Sequence, residues 1–176
     1  MSGDVIIPHA LRSQPPEEIS CDVLVIGAGA AGLSAALSAA ASGARVVVLD
    51  ERPQSGGQFF KPLAPSHQLQ GKVPLQWANG AQLLQAARDA GAEIIQNATV
   101  WAAFSAQEIA VTLNGQPKLF HPKQLIIAAG AYERPVPFPG WTLPGVMTTG
   151  AGQTLAKSYR VIPGKRIVVS GNGPLN

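Results

Sequence analysis

The most regular pattern of hydrophobic positions lies in the first third of the chain. Asp22 to Ile26 is apolar and rich in β-branched residues, as in a strand covered on both faces by helices. Small residues and leucines from Leu33 to Ser42 predict a helix that stops at Gly43. Arg45 to Leu49 is a second valine-rich run. Together these segments have the length of one βαβ crossover, about thirty residues, so the two strands are predicted to be parallel.

After this crossover the predicted elements are shorter. Pro53 to Pro74, rich in Pro, Gly, Ser and Gln, is interpreted as an ordered excursion, and Gln82 to Ala90 as a short helix. Short strands follow, with the Asn114-Gly115 pair as a hairpin signal between the last two. These strands are Glu93 to Gln96, Thr99 to Phe104, Ile109 to Leu113 and Lys118 to Phe120. They indicate a small antiparallel β-meander inserted in the domain.

The last part of the chain returns to buried strands. Gln124 to Ala128 predicts one strand, and the prolines that follow predict an extended crossing. A helix is expected from Thr149 to Ser158, and another buried strand from Arg166 to Ser170. This last strand leads into "GNGPLN", Gly171 to Asn176, which resembles the start of a second glycine-rich turn.

The order of elements predicts an α/β protein with a Rossmann-like domain, in which a βαβ parallel sheet carries the inserted antiparallel β-meander. Residues 1–20 are expected to be an N-terminal arm and residues 21–145 the Rossmann-like domain. Residues 146–176 are interpreted as the start of a second, NAD-type nucleotide-binding domain that the sequence leaves truncated.

Three glycines separate the first strand from its helix, in the spacing Gly27-x-Gly29-x-x-Gly32. In a dinucleotide-binding turn the first permits the tight turn, the second lets a pyrophosphate approach, and the third lets helix and strand pack closely. Unpaired N–H groups at the helix start then face the phosphates. Asp50, with Glu51 beside it, follows the second strand, where a carboxylate can accept both hydroxyls of an adenosine ribose. The combination predicts a dinucleotide with a free 2′-hydroxyl, as in FAD or NAD.

Composition and charge exclude several other classes. The net charge is only +3 and the basic residues are scattered, so nucleic acid is not expected as a partner. The one cysteine, Cys21, heads an apolar run and is expected to be a buried structural thiol. His9 and His121 lack the neighbours of a metal site, so no metal ligand is assigned. No run is apolar for long enough to be a transmembrane segment, and we expect a cytoplasmic protein.

Three stretches resemble the glutathione-reductase-like superfamily of flavoproteins, which have two dinucleotide-binding domains. "LDERPQSGGQ", Leu49 to Gln58, is similar to the segment after the ribose acid. "LIIAAGAYERPVPFPG", Leu125 to Gly140, is similar to the signature leading from the FAD domain to the NAD domain, and "IVVSGNGPLN" resembles the second nucleotide turn. In motif order, Cys21 to Asn176 resembles the N-terminal portion of the α subunits of opine oxidase, hydrogen cyanide synthase and heterotetrameric sarcosine oxidase.

This resemblance implies that residues 21–145 form an FAD-binding domain. The implied cofactor-binding residues lie in the glycine turn, after the second strand, in a glycine pair and near two later strands. They are Gly27, Gly29, Ala30, Ala31, Gly32, Asp50, Glu51, Arg52, Gly56, Gly57, Gln58, Val100, Ala129 and Gly130. By the same resemblance, Glu51 and Arg52 would flank the ribose and adenine, and the backbone of Val100 would meet the adenine.

The sequence departs from the superfamily pattern in three places. No Cys-x-x-x-x-Cys follows Gly56-Gly57, which argues against a disulfide reductase of the lipoamide dehydrogenase type. Asn176 occupies the third-glycine position of the second turn, where a side chain would crowd the helix. NAD(P) at Gly171 to Asn176 in a full-length protein therefore stays open. The C-terminal segment that completes the FAD domain in this superfamily is also absent from this sequence.

The resemblance implies a subunit of an FAD-dependent oxidoreductase that oxidises an amine, opine or amino acid by hydride transfer from a CH–NH group to flavin. A catalytic β subunit is the expected partner, and any association with the inner membrane would be through partners. Two alternatives stay open. One is an NAD(P)H-dependent reductase like thioredoxin or ferredoxin reductase, and the other is a non-catalytic subunit that binds an adenine nucleotide such as ATP.

The sequence assigns no catalytic residue, because no acid or base qualifies by spacing. His67 is interpreted as a solvated loop histidine. For Tyr132, Glu133 and Arg134 two interpretations remain: they close over the flavin edge, or they form a surface turn with an internal ion pair.

Overall fold

The strands and helices follow the predicted α/β order in a computed structural model that describes residues 15–60, 62–64, 66–67 and 71–171. The strands are β1 (Glu17–Ile26), β2 (Val46–Leu49), β3 (Glu93–Ile95), β4 (Ala98–Ser105), β5 (Glu108–Leu113) and β6 (Gln116–Ile127). The helices are α1 (Ala30–Ala41), α2 (Gly57–Phe60), α3 (Leu75–Asp89) and α4 (Thr149–Ser158). All six of these strands form one sheet, in the order β3-β2-β1-β6-β5-β4.

The parallel half of the sheet contains the predicted βαβ unit. β1 pairs in parallel with β2 on one side and with β6 on the other, and β2 pairs in parallel with β3. All four residues of β2 are buried. Val46 and Val48 belong to one hydrophobic core, whereas Val47 and Leu49 belong to a second core. Both faces of the strand are therefore covered, which explains why its sequence is apolar at every position.

The two cores lie on opposite sides of the parallel strands. In the first, α1 packs against the sheet through Leu33, Ala36 and Ala40, which share one helical face, and α3 contributes Ala87. The second core combines residues of β1 and β2 with residues of β4, β5 and β6, around the fully buried ring of Phe120. Strands from distant places in the sheet order thus share one core, because the antiparallel half curls back over the parallel half. Burial raises the pKa of the Cys21 thiol in this core.

The meander has the predicted antiparallel hairpins, β4 with β5 and β5 with β6. Asn114 and Gly115 connect β5 to β6 with φ angles of 51° and 75°, as a turn with two left-handed residues requires. The prediction of two separate strands, Lys118 to Phe120 and Gln124 to Ala128, was wrong. β6 is continuous because its first half pairs with β5 while β1 pairs along nearly its whole length.

Two elements begin five or more residues earlier than predicted. β1 begins at Glu17, five residues before Asp22, because it pairs with β6 from Glu17 onward. α3 begins at Leu75 rather than Gln82, since Pro74 precedes it and Gly80 lets the helix pack on Phe60, whose ring a Cβ at Gly80 would meet at 2.7 Å.

The buried strand predicted from Arg166 to Ser170 was also wrong. The chain there is not in a strand, and Ile167, Val168 and Val169 are 60%, 93% and 61% exposed. Within the described ranges, these residues pair with no strand of the sheet, so their apolar pattern alone does not produce a buried strand.

Candidate functional site

The glycine turn joins the carboxyl end of β1 to the amino end of α1. The N–H of Gly27 donates to the carbonyl oxygen of Leu49 at 2.7 Å, which ties the start of the turn to β2. Gly29 precedes α1 as its N-cap, and its carbonyl accepts the first helical bond, from the N–H of Leu33 at 2.9 Å. No side chain caps this helix and its first turn has no acid. The first N–H groups of α1 therefore face the turn with the positive end of the helix dipole.

Packing inside the protein requires two of the three glycines of the turn. Gly27 has a φ of 102°, and a Cβ there would lie 2.4 Å from the carbonyl oxygen of Ala128. A Cβ on Gly32 would lie 1.8 Å from the carbonyl oxygen of Gly27. Neither position can hold a side chain, because backbone occupies the space. These contacts fix the start of α1 against the end of β1.

Gly29 is different, because the chain itself does not need a glycine there. Its φ of −80° and ψ of −174° are open to any residue. A Cβ at Gly29 would meet only the Cα of Gly57, at 3.9 Å, which is ordinary contact. The open space at this glycine lies directly before the free N–H groups of α1. This is the place where a diphosphate would approach the backbone.

Asp50 is buried, with 6% of its surface exposed, and its carboxylate is bonded within the protein. Oδ2 accepts from the N–H of Ala28 and Oδ1 accepts from the N–H of Arg52, both at 2.9 Å. The Asp50 side chain thus connects the end of β2 to the middle of the glycine turn. It satisfies a buried backbone donor that would otherwise cost free energy.

The glycine pair Gly56-Gly57, in the segment after β2, packs against the glycine turn. The N–H of Gly56 donates to the carbonyl oxygen of Ala28 at 2.8 Å, and Gly29 and Gly56 form an isolated parallel bridge. A Cβ on Gly57, where φ is 62°, would lie 2.9 Å from the Cα of Gly29. The structure therefore brings the two predicted glycine motifs into direct contact.

A cavity of about 100 Å³ lies beside the glycine pair, between the segment that follows β2 and α4. Its lining includes Arg52 and Gly57, which were predicted as site residues, and the nearby Gln54. Thr154 and Tyr159, also in the lining, come from α4 and the residue after it, about a hundred residues later in the chain. No sequence motif marks these later residues, because only the tertiary fold brings α4 to the cavity.

Glu51 and Tyr132 are joined by a hydrogen bond at the same end of the sheet. The Tyr132 hydroxyl donates to Oε1 of Glu51, and both side chains are exposed. This bond, and the burial and charge that accompany it, raise the pKa of the Tyr132 phenol. Glu133, the next residue, accepts from the N–H of Gly150 at 2.8 Å in the first turn of α4. Tyr132 and Glu133 thus connect to the chain after β2 and to the start of α4, which are contacts beyond those of the surface turn with an internal ion pair that the sequence suggested.

The remaining predicted residues lie at varied distances from the turn. Ala129 and Gly130 follow β6 directly after Ala128, the residue that packs on Gly27. Val100 lies in β4, two residues after Ala98, whose N–H donates to the carbonyl oxygen of Asp50 at 2.9 Å. The side chain of Val100 packs partly buried against the second core.

The other candidate residues do not form a site of their own. His67 is exposed, with its ring 5.9 Å from that of Tyr159 in an edge contact. In the described part of the chain, His, Cys, Asp and Glu residues form no group of three that could hold a metal ion. Among the described helices, none combines the length and hydropathy that a membrane span requires. Residues 172–176, which carry most of the second glycine motif, lie outside the described residues.

The fold and the glycine turn define a Rossmann-like, dinucleotide-binding α/β protein. The sequence profile of the pyridine nucleotide-disulphide oxidoreductase family matches residues 21–175. The chain belongs to this family of flavin-dependent oxidoreductases, and membership implies that it binds FAD or NAD(P). The match confirms the superfamily assigned from the sequence motifs.

Individual relatives agree with this family. The chain is 40% identical over 164 residues to an opine oxidase subunit of Agrobacterium tumefaciens (strain Ach5), covering 88% of this chain and 32% of that protein. It is 34% identical over 167 residues to the alpha subunit of sarcosine oxidase from Corynebacterium sp. (strain U-96), covering 86% of this chain and 17% of that protein. The chain therefore spans a third or less of these relatives, and both relatives are subunits by name.

A solved structure shows the same fold. L-proline dehydrogenase from P. horikoshii superposes with a TM-score of 0.71, over 87% of this chain and 31% of that chain, with 20% sequence identity. This likeness confirms the predicted α/β fold class.

The glycine contacts predict that Gly32→Ala destabilises the protein. The added methyl group would overlap the backbone of Gly27, which cannot move without displacing β1, so we expect a loss of about 3 kcal/mol or more in the free energy of unfolding. Urea denaturation measures this loss. Ser34→Ala, at an exposed position of the same helix, is the control and should change stability by less than about 0.5 kcal/mol. Equal stability of the two variants would contradict the packing role of Gly32.

Gly29→Ala should leave the stability of the protein nearly unchanged and weaken nucleotide binding, since its methyl group has space in the protein. We expect unfolding of the nucleotide-free variant to change by less than about 1 kcal/mol, the range for an N-cap glycine. The methyl group would stand between the ligand and the first N–H groups of α1, so affinity for ADP should fall by about tenfold or more. Calorimetric titration with ADP measures the affinity, with Ser38→Ala further along α1 as control. Unchanged affinity in Gly29→Ala would show that the ligand does not approach here.

Proposed function

We propose that the chain is the FAD-binding part of an oxidoreductase subunit that acts on the CH–NH bond of an amine, an opine or an amino acid. Its opine oxidase and sarcosine oxidase relatives are named for substrates of this kind and support the proposal. The protein would work with a catalytic β subunit, because these relatives are subunits of larger enzymes. The substrate itself would be a small molecule bound with the help of residues beyond this chain.

The observation that carries the proposal is the space at Gly29. Gly27 and Gly32 are explained by contacts within the protein, whereas Gly29 leaves a space that a Cβ could occupy without a clash. That space lies before an uncapped helix start, where N–H groups and the dipole favour an anion. The residues present therefore fit the diphosphate of FAD.

Each part of the site would have a separate role with FAD bound. The first turn of α1 would donate hydrogen bonds to the diphosphate, and Asp50 would hold the turn in place through Ala28. The Gly56 and Gly57 pair would run beside the diphosphate, as its contact with Gly29 allows. The remaining proposed contacts are the residues named on sequence resemblance, among them Ala129, Gly130 and the backbone of Val100.

FAD supplies an acceptor for the hydride that leaves the carbon next to nitrogen, while the nitrogen loses a proton and a C=N bond forms. By spacing along the sequence, no acid or base of this chain is assigned to that proton transfer. We therefore assign to this chain the binding and orientation of the cofactor. We place the substrate groups in the partner subunit or in the longer protein. A second domain starting near residue 146, with NAD(P) at its glycine turn, remains part of the proposal.

A second candidate function is binding of an adenine nucleotide without flavin, such as ATP, in a non-catalytic subunit. The glycine turn and the acids after β2 are arranged for the adenosine diphosphate half of a dinucleotide. That half is common to FAD and ATP, which is why the same residues support both candidates.

The experiment that separates the candidates is identification of the nucleotide released when the purified chain is denatured. The proposal predicts a yellow protein that releases about one FAD per chain, by analogy with ligand sites of this class. Anaerobic addition of sarcosine or an opine to the protein with its partner subunit should bleach the flavin absorbance. A colourless protein that releases ATP or ADP would favour the second candidate. A protein that binds neither FAD nor ADP when each is supplied would contradict both.

A further inference from the structure

Helix α4 is attached to the rest of the protein mainly through its two ends. At its start, Oε1 of Glu133 accepts a hydrogen bond from the N–H of Gly150 at 2.8 Å. At its end, the carbonyl oxygen of Ser158 accepts from the N–H of Ala64 at 2.9 Å. Ser158 is the only buried residue of the helix, and neither hydrophobic core of the described chain includes a residue of α4. An element with so little buried surface can separate from its neighbours without unfolding the protein.

A cation above an aromatic ring makes a further contact just after the end of α4. The guanidinium carbon of Arg160 lies 5.1 Å from the centre of the ring of Trp77, in the first turn of α3. Arg160 has a φ of 55°, in the left-handed region that is uncommon for a residue other than glycine. The N–H of Val161 donates to the carbonyl oxygen of Leu155 at 2.9 Å, so the chain turns back on the helix at this point. A backbone conformation of this kind persists where surrounding contacts hold it, and the contact with Trp77 is one of them.

The position of α4 determines one wall of the cavity beside the glycine pair. Residues of α4 line this cavity together with Tyr159, and Gly57 belongs to the lining as well. Gly57 also lies against Gly29, where the diphosphate is proposed to bind. Arg160 is not part of the lining, so its side chain acts on the cavity only through the position of the helix.

We propose that Arg160 and Trp77 form a latch that holds α4 closed over this cavity, and that a nucleotide enters and leaves the neighbouring site when the latch opens. The second part of this inference rests on the proposed binding of FAD at the glycine turn. Opening separates Arg160 from Trp77 and breaks the bond between Ala64 and Ser158, whereas the bond to Glu133 keeps the start of the helix in place. Arg160 is thus a positioning residue, which acts on the nucleotide through α4.

Hydrogen exchange of the nucleotide-free protein tests the latch. A cation–π contact at an exposed site changes an equilibrium constant by about two- to fivefold. In Arg160→Ala, the amides at the end of α4, Leu155 to Ser158, should therefore exchange with solvent faster by this factor. The same substitution should add nothing in a Trp77→Leu background, because the ring that receives the cation is then absent. Arg160→Lys keeps a cation and should stay close to the unchanged protein.

The expected consequence for the nucleotide is kinetic. In stopped-flow measurements that follow the fluorescence of FAD, Arg160→Ala should raise the association and dissociation rates by the same factor, about two- to fivefold. The dissociation constant should stay nearly unchanged, whereas loss of a residue that touched the ligand would raise the dissociation rate alone. Arg166→Ala removes another exposed arginine from the same part of the chain, and this matched control should behave as the unchanged protein in both measurements.

Unchanged amide exchange at the end of α4 in Arg160→Ala would overturn the latch. Faster amide exchange with unaltered FAD rates would overturn the control of nucleotide entry, yet leave the proposed FAD binding intact. A protein that binds no FAD would overturn both the proposed function and the control of nucleotide entry. Amide exchange of the free protein would then still decide whether Arg160 and Trp77 hold α4.

Discussion

The close contact between Gly32 and the carbonyl of Gly27 is the constraint on which the rest of the site depends. A Cβ at Gly32 would lie 1.8 Å from that oxygen, so only a glycine at this position allows α1 to start directly after the turn at the end of β1. With the helix in this position, its first N–H groups face the crevice at the carboxyl end of the sheet. The Asp50 carboxylate then fastens the turn from the side of β2. The orientation of these N–H groups toward the crevice is therefore a consequence of backbone packing, before any ligand is considered.

The part of the molecule that the sequence predicts well is the part whose contacts are local in sequence. The first crossover, the glycine turn and the Asn114-Gly115 hairpin each combine a hydrophobic period with a turn signal. The continuous β6 was missed because Pro117 and Pro122 suggest interruptions, whereas pairing with β1, about a hundred residues earlier in the chain, makes the strand continuous. The strand expected after Arg166 was wrong for the converse reason, because an apolar run becomes a buried strand only where a neighbour can pair with it.

The site shows the same division between local and distant contacts. The glycine positions follow from motif spacing, and the structure brings Gly29 and Gly57 together. The motif could not show that Asp50 is bonded inside the turn, or that Tyr132 reaches Glu51 from the far side of β1. Those contacts depend on the sheet order β2-β1-β6, which places the chain after β6 beside the chain after β2. Functional roles within a shared fold are therefore best assigned from such contacts rather than from spacing alone.

The central claim, that the start of α1 receives the diphosphate of a nucleotide, is tested most directly by NMR of the nitrogen-15-labelled protein during addition of ADP. The account predicts that the largest amide shifts occur at Gly29, Ala30 and Ala31, with smaller shifts at Gly57 and Glu51. These amides should return to their free positions in Gly29→Ala at the same ADP concentration. Saturable binding of ADP that leaves the amides of Gly29 to Ala31 unmoved would place the nucleotide elsewhere and contradict the account.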